Sequence, residues 1–171
     1  QLESDDKLFI KGIIEKQGKV MSEIKSISIN RGITTGYNPA FIISEEKKNE
    51  LINNDINSKK IIYPILQGRD IKKWVFNLSE YYIINTKFDI DIPKNYPAIL
   101  NHLKSHKSKL FVRSDQGKNW YNLRACSYYN DFEKEKIIWG LTADKWAFAY
   151  DNQKHYLPSN GYILTSSVID I

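Results

Sequence analysis

The stretch Arg31-Gly32-Ile33-Thr34-Thr35-Gly36-Tyr37-Asn38-Pro39-Ala40-Phe41 sets the reading of the whole chain. It places two glycines, two threonines, an asparagine and a proline between apolar segments. Gly32 and Gly36 permit positive φ and close backbone approach, as a tight connection requires. Thr34, Thr35 and Asn38 offer hydrogen-bonding groups, and Tyr37 adds a flat ring with a polar tip. Upstream, Ile24 to Ile33 alternates, and Ile27, Ile29 and Ile33 are expected on one face of a half-buried strand. Downstream, Ala40 to Ile43 reads as a short apolar strand. Ser44 then suits an N-cap, with Glu45 and Glu46 in the first turn of a helix through about Asn53. The run is thus a loop joining two strands.

Further out, Asp5 to Lys19 reads as an amphipathic helix, with Leu8, Ile10, Ile13 and Ile14 near one face and Gly18 as its stop. Ile61 to Leu66 is apolar but contains Pro64, which fits an edge strand. Tyr81 to Phe88 is a strand by its β-branched and aromatic content. Pro97 opens a helix to about Leu110, and Arg113 to Asn119 is a polar loop. Ile137 to Leu141 and Trp146 to Tyr150 read as paired strands around Thr142-Ala143-Asp144. Pro158-Ser159-Asn160-Gly161 is a turn before the strand Tyr162 to Thr165. Strands outnumber helices and arrive in runs. The expected fold class is therefore α+β, a mixed, mostly antiparallel twisted sheet with flanking helices. Residues 1–19 form an N-terminal helix that leads from an upstream domain, and 20–171 form one domain. Its end inside the apolar run at Ile171 reads as a truncation.

A chain of 171 residues can bury a core as a single domain. Its hydrophobic share of 42% and charged share of 26% are those of a globular protein. Eleven tyrosines and four tryptophans are a surplus that suits a binding surface as well as a core. The net charge of +5, with a pI near 9.1, favours a polyanionic partner. The single cysteine, Cys126, excludes an internal disulfide and a cysteine-based zinc site. No apolar run is long enough to span a membrane and no secretory signal pattern opens the chain, so a cytoplasmic location is expected.

Four motifs invite a chemical reading. Asn38-Pro39-Ala40-Phe41 is similar to the Asn-Pro-Pro-aromatic loop of enzymes that methylate amino groups on DNA bases. It lacks the second proline, and no glycine-rich donor-binding turn precedes it. Asp70-Ile71-Lys72, with Asp55 upstream, fits the acidic-x-lysine element of Mg²⁺-dependent nucleases, or else a solvated charged turn. His102 and His106 stand at i and i+4 on a helix, but Lys104, Lys107 and Lys109 crowd them, so no metal site is assigned. The basic residues are better read together. Arg69, Lys72 and Lys73 are closed by Trp74, and Arg113, Lys118 and Arg124 are interleaved with Trp120 and Tyr121. Arginine can bridge a guanine edge, lysine can hold phosphate, and Gln67 and Asn38 carry groups that read adenine.

At this point the motifs resemble a known family, the TaqI-like C-terminal specificity domain. This is the target recognition domain of adenine-specific DNA methyltransferases and fused type IIG restriction-modification enzymes. Gly32-Ile33-Thr34-Thr35-Gly36-Tyr37-Asn38-Pro39-Ala40-Phe41 is similar to its Gly-Ile-x-Thr-Gly-x-Asn-x-Ala-Phe motif. Leu66-Gln67-Gly68-Arg69-Asp70-Ile71-Lys72 is similar to its Leu-x-Gly-x-Asp-Ile-x motif. Trp120-Tyr121-Asn122-Leu123-Arg124 resembles its Trp-x-x-Leu-Arg element, with Lys136-Ile137-Ile138-Trp139 the strand after it. Order and spacing agree over about residues 20 to 166, and Pro39 falls at a variable position of the family pattern.

The resemblance implies a double-stranded DNA recognition domain without catalytic residues, metal or cofactor of its own. The N-terminal methyltransferase domain of the parent chain would use S-adenosylmethionine on a flipped adenine. The residues expected to face DNA are Thr34, Thr35, Tyr37, Asn38, Gln67, Arg69, Lys72, Lys73, Arg113, Lys118 and Arg124. The competing readings are a Mg²⁺-dependent nuclease built on Asp70 and Lys72, and a protein-interaction domain of a restriction complex.

Overall fold

The computed structural model describes residues 4–141 and 147–167. Helix α1 (Asp5–Gln17) carries Asp5 and Asp6 in its first turn and Lys16 in its last, signs that suit the helix dipole. Gly18 ends it, since a Cβ there would lie 2.7 Å from the Ile14 carbonyl oxygen. The helix buries none of its residues, and Leu8, Phe9 and Ile14 stand exposed. Strand β1 (Ile27–Arg31) feeds the glycine loop, which closes in a one-turn helix, α2 (Asn38–Phe41). Pro39 pre-sets a helical first turn, so the strand expected from Ala40 begins only at β2 (Ile42–Ser44). Ser44 Oγ accepts the Lys47 N–H at 3.3 Å and caps α3 (Glu45–Asn54).

Strands β3 (Ile62–Pro64) and β4 (Tyr81–Ile84) follow, then the one-turn α4 (Ile92–Asn95). The helix expected from Pro97 to Leu110 breaks at His106 into α5 (Pro97–Ser105) and α6 (Lys107–Phe111). Strands β5 (Lys136–Gly140), β6 (Phe148–Asp151) and β7 (Gly161–Ser166) complete the chain. β5 pairs with β6 as expected, while the Thr142-Ala143-Asp144 turn and Trp146 lie outside the described residues.

The fold is α+β, with its antiparallel strands divided between two sheets. A three-stranded sheet runs β2-β4-β3, and Pro64 sits on its edge strand, where a missing N–H is tolerated. A four-stranded sheet runs β1-β7-β5-β6. Its register places Asn30, Ile163, Ile138 and Ala149 in one row, with Ile163, Ile138 and Ala149 sealed in the core. Ile29, Leu164, Ile137 and Tyr150 share the opposite face, and Ile29 is 42% exposed. The buried face expected of β1 therefore does not form: Ile27 is only half-buried, and Ser28 on the other face is exposed as well. β1 is an edge strand, and its neighbours supply the core face.

The sheets are joined by His155–Pro158, every residue of which is buried. Tyr156 exchanges backbone hydrogen bonds with Pro64 and Leu66 at 2.9 Å each, and the Leu157 carbonyl accepts the Ile33 N–H at 2.7 Å. Tyr156 is wholly buried, stacks on Phe132 at 4.8 Å and accepts a hydrogen bond from Asn85 at 3.1 Å. Ile83 and Ile84 of one sheet, Ile138 and Ile163 of the other, and Ile99, Leu103 and Leu110 of the helices form one continuous cluster. Each such side chain contributes about 1.5–3 kcal/mol by leaving water. Among the described residues no helix is long and apolar enough to cross a membrane.

Candidate nucleic-acid interface

The glycine loop is held by contacts that only its own sequence allows. Gly32 lies against the 157–158 backbone, where an added Cβ would be driven into the Pro158 carbonyl oxygen. Its N–H donates to Gly161 at 2.9 Å, which fixes the loop to the Pro158–Gly161 turn. Gly36 has φ +68°, the left-handed region that favours glycine. Thr35 is 2% exposed; its hydroxyl donates to Asn38 Oδ1 at 2.6 Å and accepts the Tyr37 N–H at 3.2 Å. Beneath the loop lies Arg113, 7% exposed. Its guanidinium donates to the carbonyls of Thr35, Asn122 and Trp120, the last at 3.1 Å, and stacks 4.6 Å from the Phe41 centroid. Burial pushes its pKa down to about 10, which leaves it a cation at neutral pH.

Arg113 and Thr35 were both expected to face DNA. The structure turns them inward, where they fasten the 113–124 loop to the glycine loop. Asn122 belongs to the same lock: its side chain donates to the Thr86 and Lys87 carbonyls and accepts the Asn119 N–H. The Trp120–Arg124 motif is thus mainly a clasp, with Arg124 as its exposed end, paired to Asp115 at 3.2 Å.

The second motif forms a single 3-10 turn, Gly68–Asp70. Asp70 Oδ2 accepts the Gln67 N–H at 2.7 Å, so its carboxylate is spent on the local backbone. Asp55 likewise accepts the Asn57 N–H at 3.0 Å. Asp55 Oδ2 is buried without a hydrogen-bond partner, and the nuclease reading would need such carboxylates to converge on one cation. His102 Nε2 lies 3.0 Å from the Ala40 carbonyl and braces α2, and burial lowers its pKa. Among the described residues no group of three His, Cys, Asp or Glu is placed to hold a metal ion.

Gly68 abuts Gly140 at the end of β5, backbone against backbone. An open cleft of about 620 Å³ forms where α2, the Gly68–Asp70 turn, the end of β5 and the Pro158–Gly161 turn meet. Asn38, Gln67, Arg69 and Asn160 line it, with Ile42 and Tyr81 as apolar and aromatic wall. Three amides beside a guanidinium can address adenine and guanine edges or phosphate oxygens. Of the expected residues, Asn38, Gln67 and Arg69 meet here. Thr34 and Arg124 line a separate hollow of about 300 Å³ beside Cys126. Tyr37 is half-buried, its ring 5.9 Å from that of His106. Lys72, Lys73 and Lys118 are exposed. Asn160 was not foreseen, because Pro-Ser-Asn-Gly signals a turn and nothing about what the turn faces.

The profile of the TaqI-like C-terminal specificity domain matches residues 63–170, more than half of the chain, and the chain belongs to this family. The match includes the Leu66–Lys72, Trp120–Arg124 and Lys136–Trp139 motifs, and the Gly32–Phe41 run lies ahead of it. Among solved structures, the fold is similar to that of the Type IIL restriction-modification enzyme MmeI in complex with DNA, with a TM-score of 0.65 and 15% identity. The alignment covers 90% of this chain and 20% of MmeI, so the chain spans about a fifth of that neighbour's length. No curated protein matches the chain by sequence.

Proposed function

We propose that the chain is the double-stranded DNA recognition domain of a restriction-modification enzyme of the type IIG kind. It selects the site at which a separate methyltransferase domain of the same polypeptide modifies a flipped adenine at N6, in the cytoplasm. The observation that carries this reading is the cleft. Asn38, Gln67, Arg69 and Asn160 come from sequence-distant segments and converge on one open face of a specificity-domain fold. The neighbour MmeI, whose structure includes DNA, supports it. S-adenosylmethionine would serve the methyltransferase domain. Among the described residues the cleft lining includes no carboxylate to take ribose hydroxyls, so these residues do not fit the methyl donor and no step of its chemistry is assigned to them.

Phosphate contacts from exposed lysines would give affinity, and the amides and Arg69 the choice of bases. Fluorescence anisotropy with a mixed-sequence duplex tests the reading. Binding should weaken steeply with salt, and Arg69→Ala should cost about 1–3 kcal/mol on the cognate site. Absence of duplex binding at low salt, both for this chain and for a version fused to its upstream region, would overturn it.

A further inference from the structure

Directly after the Gly68–Asp70 turn, Ile71 and Phe76 pair to close a short antiparallel hairpin. We propose that its tip is a wedge for DNA: Trp74 stacks its indole on a base exposed at an opened step of the duplex, while Lys72 and Lys73 hold the flanking phosphates. The inference rests on the DNA-reading function proposed above and adds to it a residue that deforms the duplex.

Trp74 is 74% exposed, an unusual position for the side chain with the most apolar surface to hide. Its φ of +73° lies in the left-handed region, which bulky side chains avoid. Two backbone hydrogen bonds hold it there. Lys72 N–H donates to the Val75 carbonyl and Trp74 N–H to the Phe148 carbonyl, each at 2.8 Å. The second ties the tip to β6, and buried Ile71 anchors the stem, so the indole is presented on a fixed mount. Lys73 Nζ lies 5.6 Å from the indole centroid, which puts a cation and an aromatic face on one surface. Between Leu66 and Phe76 the only carboxylate is that of Asp70, and it is turned onto the Gln67 N–H.

The partner that satisfies this surface has a flat π face a few ångströms from anionic oxygens, which is the chemistry of a nucleotide. Base–aromatic stacking and apolar wedging are both known ways of holding or kinking a strand. A protein partner would cover the ring but would leave two adjacent lysines needing counter-charges. The charge therefore selects DNA.

The test compares the full chain with Trp74→Ala, Trp74→Phe and the double variant Lys72→Ala/Lys73→Ala. The probes are a labelled mixed-sequence duplex and the same duplex carrying a two-base bulge. Wild type should prefer the bulged duplex, where unstacking is already complete, and its tryptophan emission should fall on binding. Trp74→Ala should lose about five-fold or more on the bulged duplex, whereas Trp74→Phe keeps most of the affinity. The lysine variant should lower the salt slope by about two. If wild type binds both duplexes and Trp74→Ala binds them equally well, the wedge is wrong and the DNA-reading function stands. If Trp74→Ala instead weakens association with the upstream region of the parent polypeptide, the tip is a protein contact and the wedge is again overturned. If neither the chain nor its upstream fusion binds either duplex, the wedge and the DNA-reading function fail together.

Discussion

Arg113 shows how a residue type can mislead when its surroundings are unknown. A guanidinium in a basic, aromatic segment suggests a phosphate or a guanine, yet here it satisfies three main-chain carbonyls under the glycine loop. Lysine cannot reproduce that planar fork. Both Arg113→Ala and Arg113→Lys should therefore destabilise the fold by about 3 kcal/mol, lowering the thermal midpoint by about 10 °C. A Lys variant with an unchanged midpoint would show that the fork is not needed. Asp151 has a different lever. It is fully buried, 2.7 Å from Lys136 Nζ and 3.0 Å from His155 Nδ1, and accepts the Gln153 and His155 N–H groups. Although burial alone would raise its pKa, these partners hold it at about 2, below the ordinary 3.8. A carboxylate held low in the folded state stabilises above its ordinary pKa and loses that contribution as pH falls from about 4 to 2. Denaturant titrations across that window should show stability falling, and Asp151→Asn should start lower and fall less. At Trp74 the sign reverses: Trp74→Gly relieves the left-handed backbone and should raise the midpoint by a few degrees.

At the level of elements, the sequence shows most clearly what is set locally. Ser44 caps α3, Gly18 stops α1, Pro64 marks an edge and the Pro158–Gly161 turn precedes β7. These are decisions of one or two residues against their own backbone. The facing of β1 was not legible in this way, because alternation reveals a period and not which neighbour covers which side. Nor was His155–Pro158, whose burial depends on Ile33 and Ile65 arriving from either side as parallel partners. For the site, three of the four polar cleft residues were named from sequence, and Asn160 was hidden because a turn motif does not say what it points toward. Two tests belong to this scale. Gly32→Ala forces a Cβ into the Pro158 carbonyl and should cost about 3 kcal/mol, read by urea titration. Removing residues 1–19 deletes a helix that buries nothing, and the midpoint should stay within a degree or two.

Over the whole molecule, the two sheets share one apolar cluster and one buried linker, so they should melt together. Tryptophan emission, to which all four tryptophans contribute, and far-ultraviolet circular dichroism should give coincident urea transitions; two separated midpoints would show that the sheets are independent. The base reading proposed for the cleft also draws on this architecture. Its polar side chains stand on short turns, and backbone bonds from Ile33 and Leu66 tie the neighbouring segments to the buried linker, so under that proposal the bases read could change with little effect on how the site is held. The strand order has a consequence in time. β1 pairs with β7, Ile27 opposite Ser166, whereas β2, β4 and β3 close over residues 42–84. Contacts so far apart in sequence form slowly, and on the ribosome they must wait for the last strand to emerge. The smaller sheet can assemble early, and pulse-labelled hydrogen exchange should protect Ile83 and Ile84 before Leu164. The cleft wall bearing Asn160 is then among the last parts to be put in place. A nascent chain would display its lysines well before it had the cleft proposed to tell one DNA sequence from another.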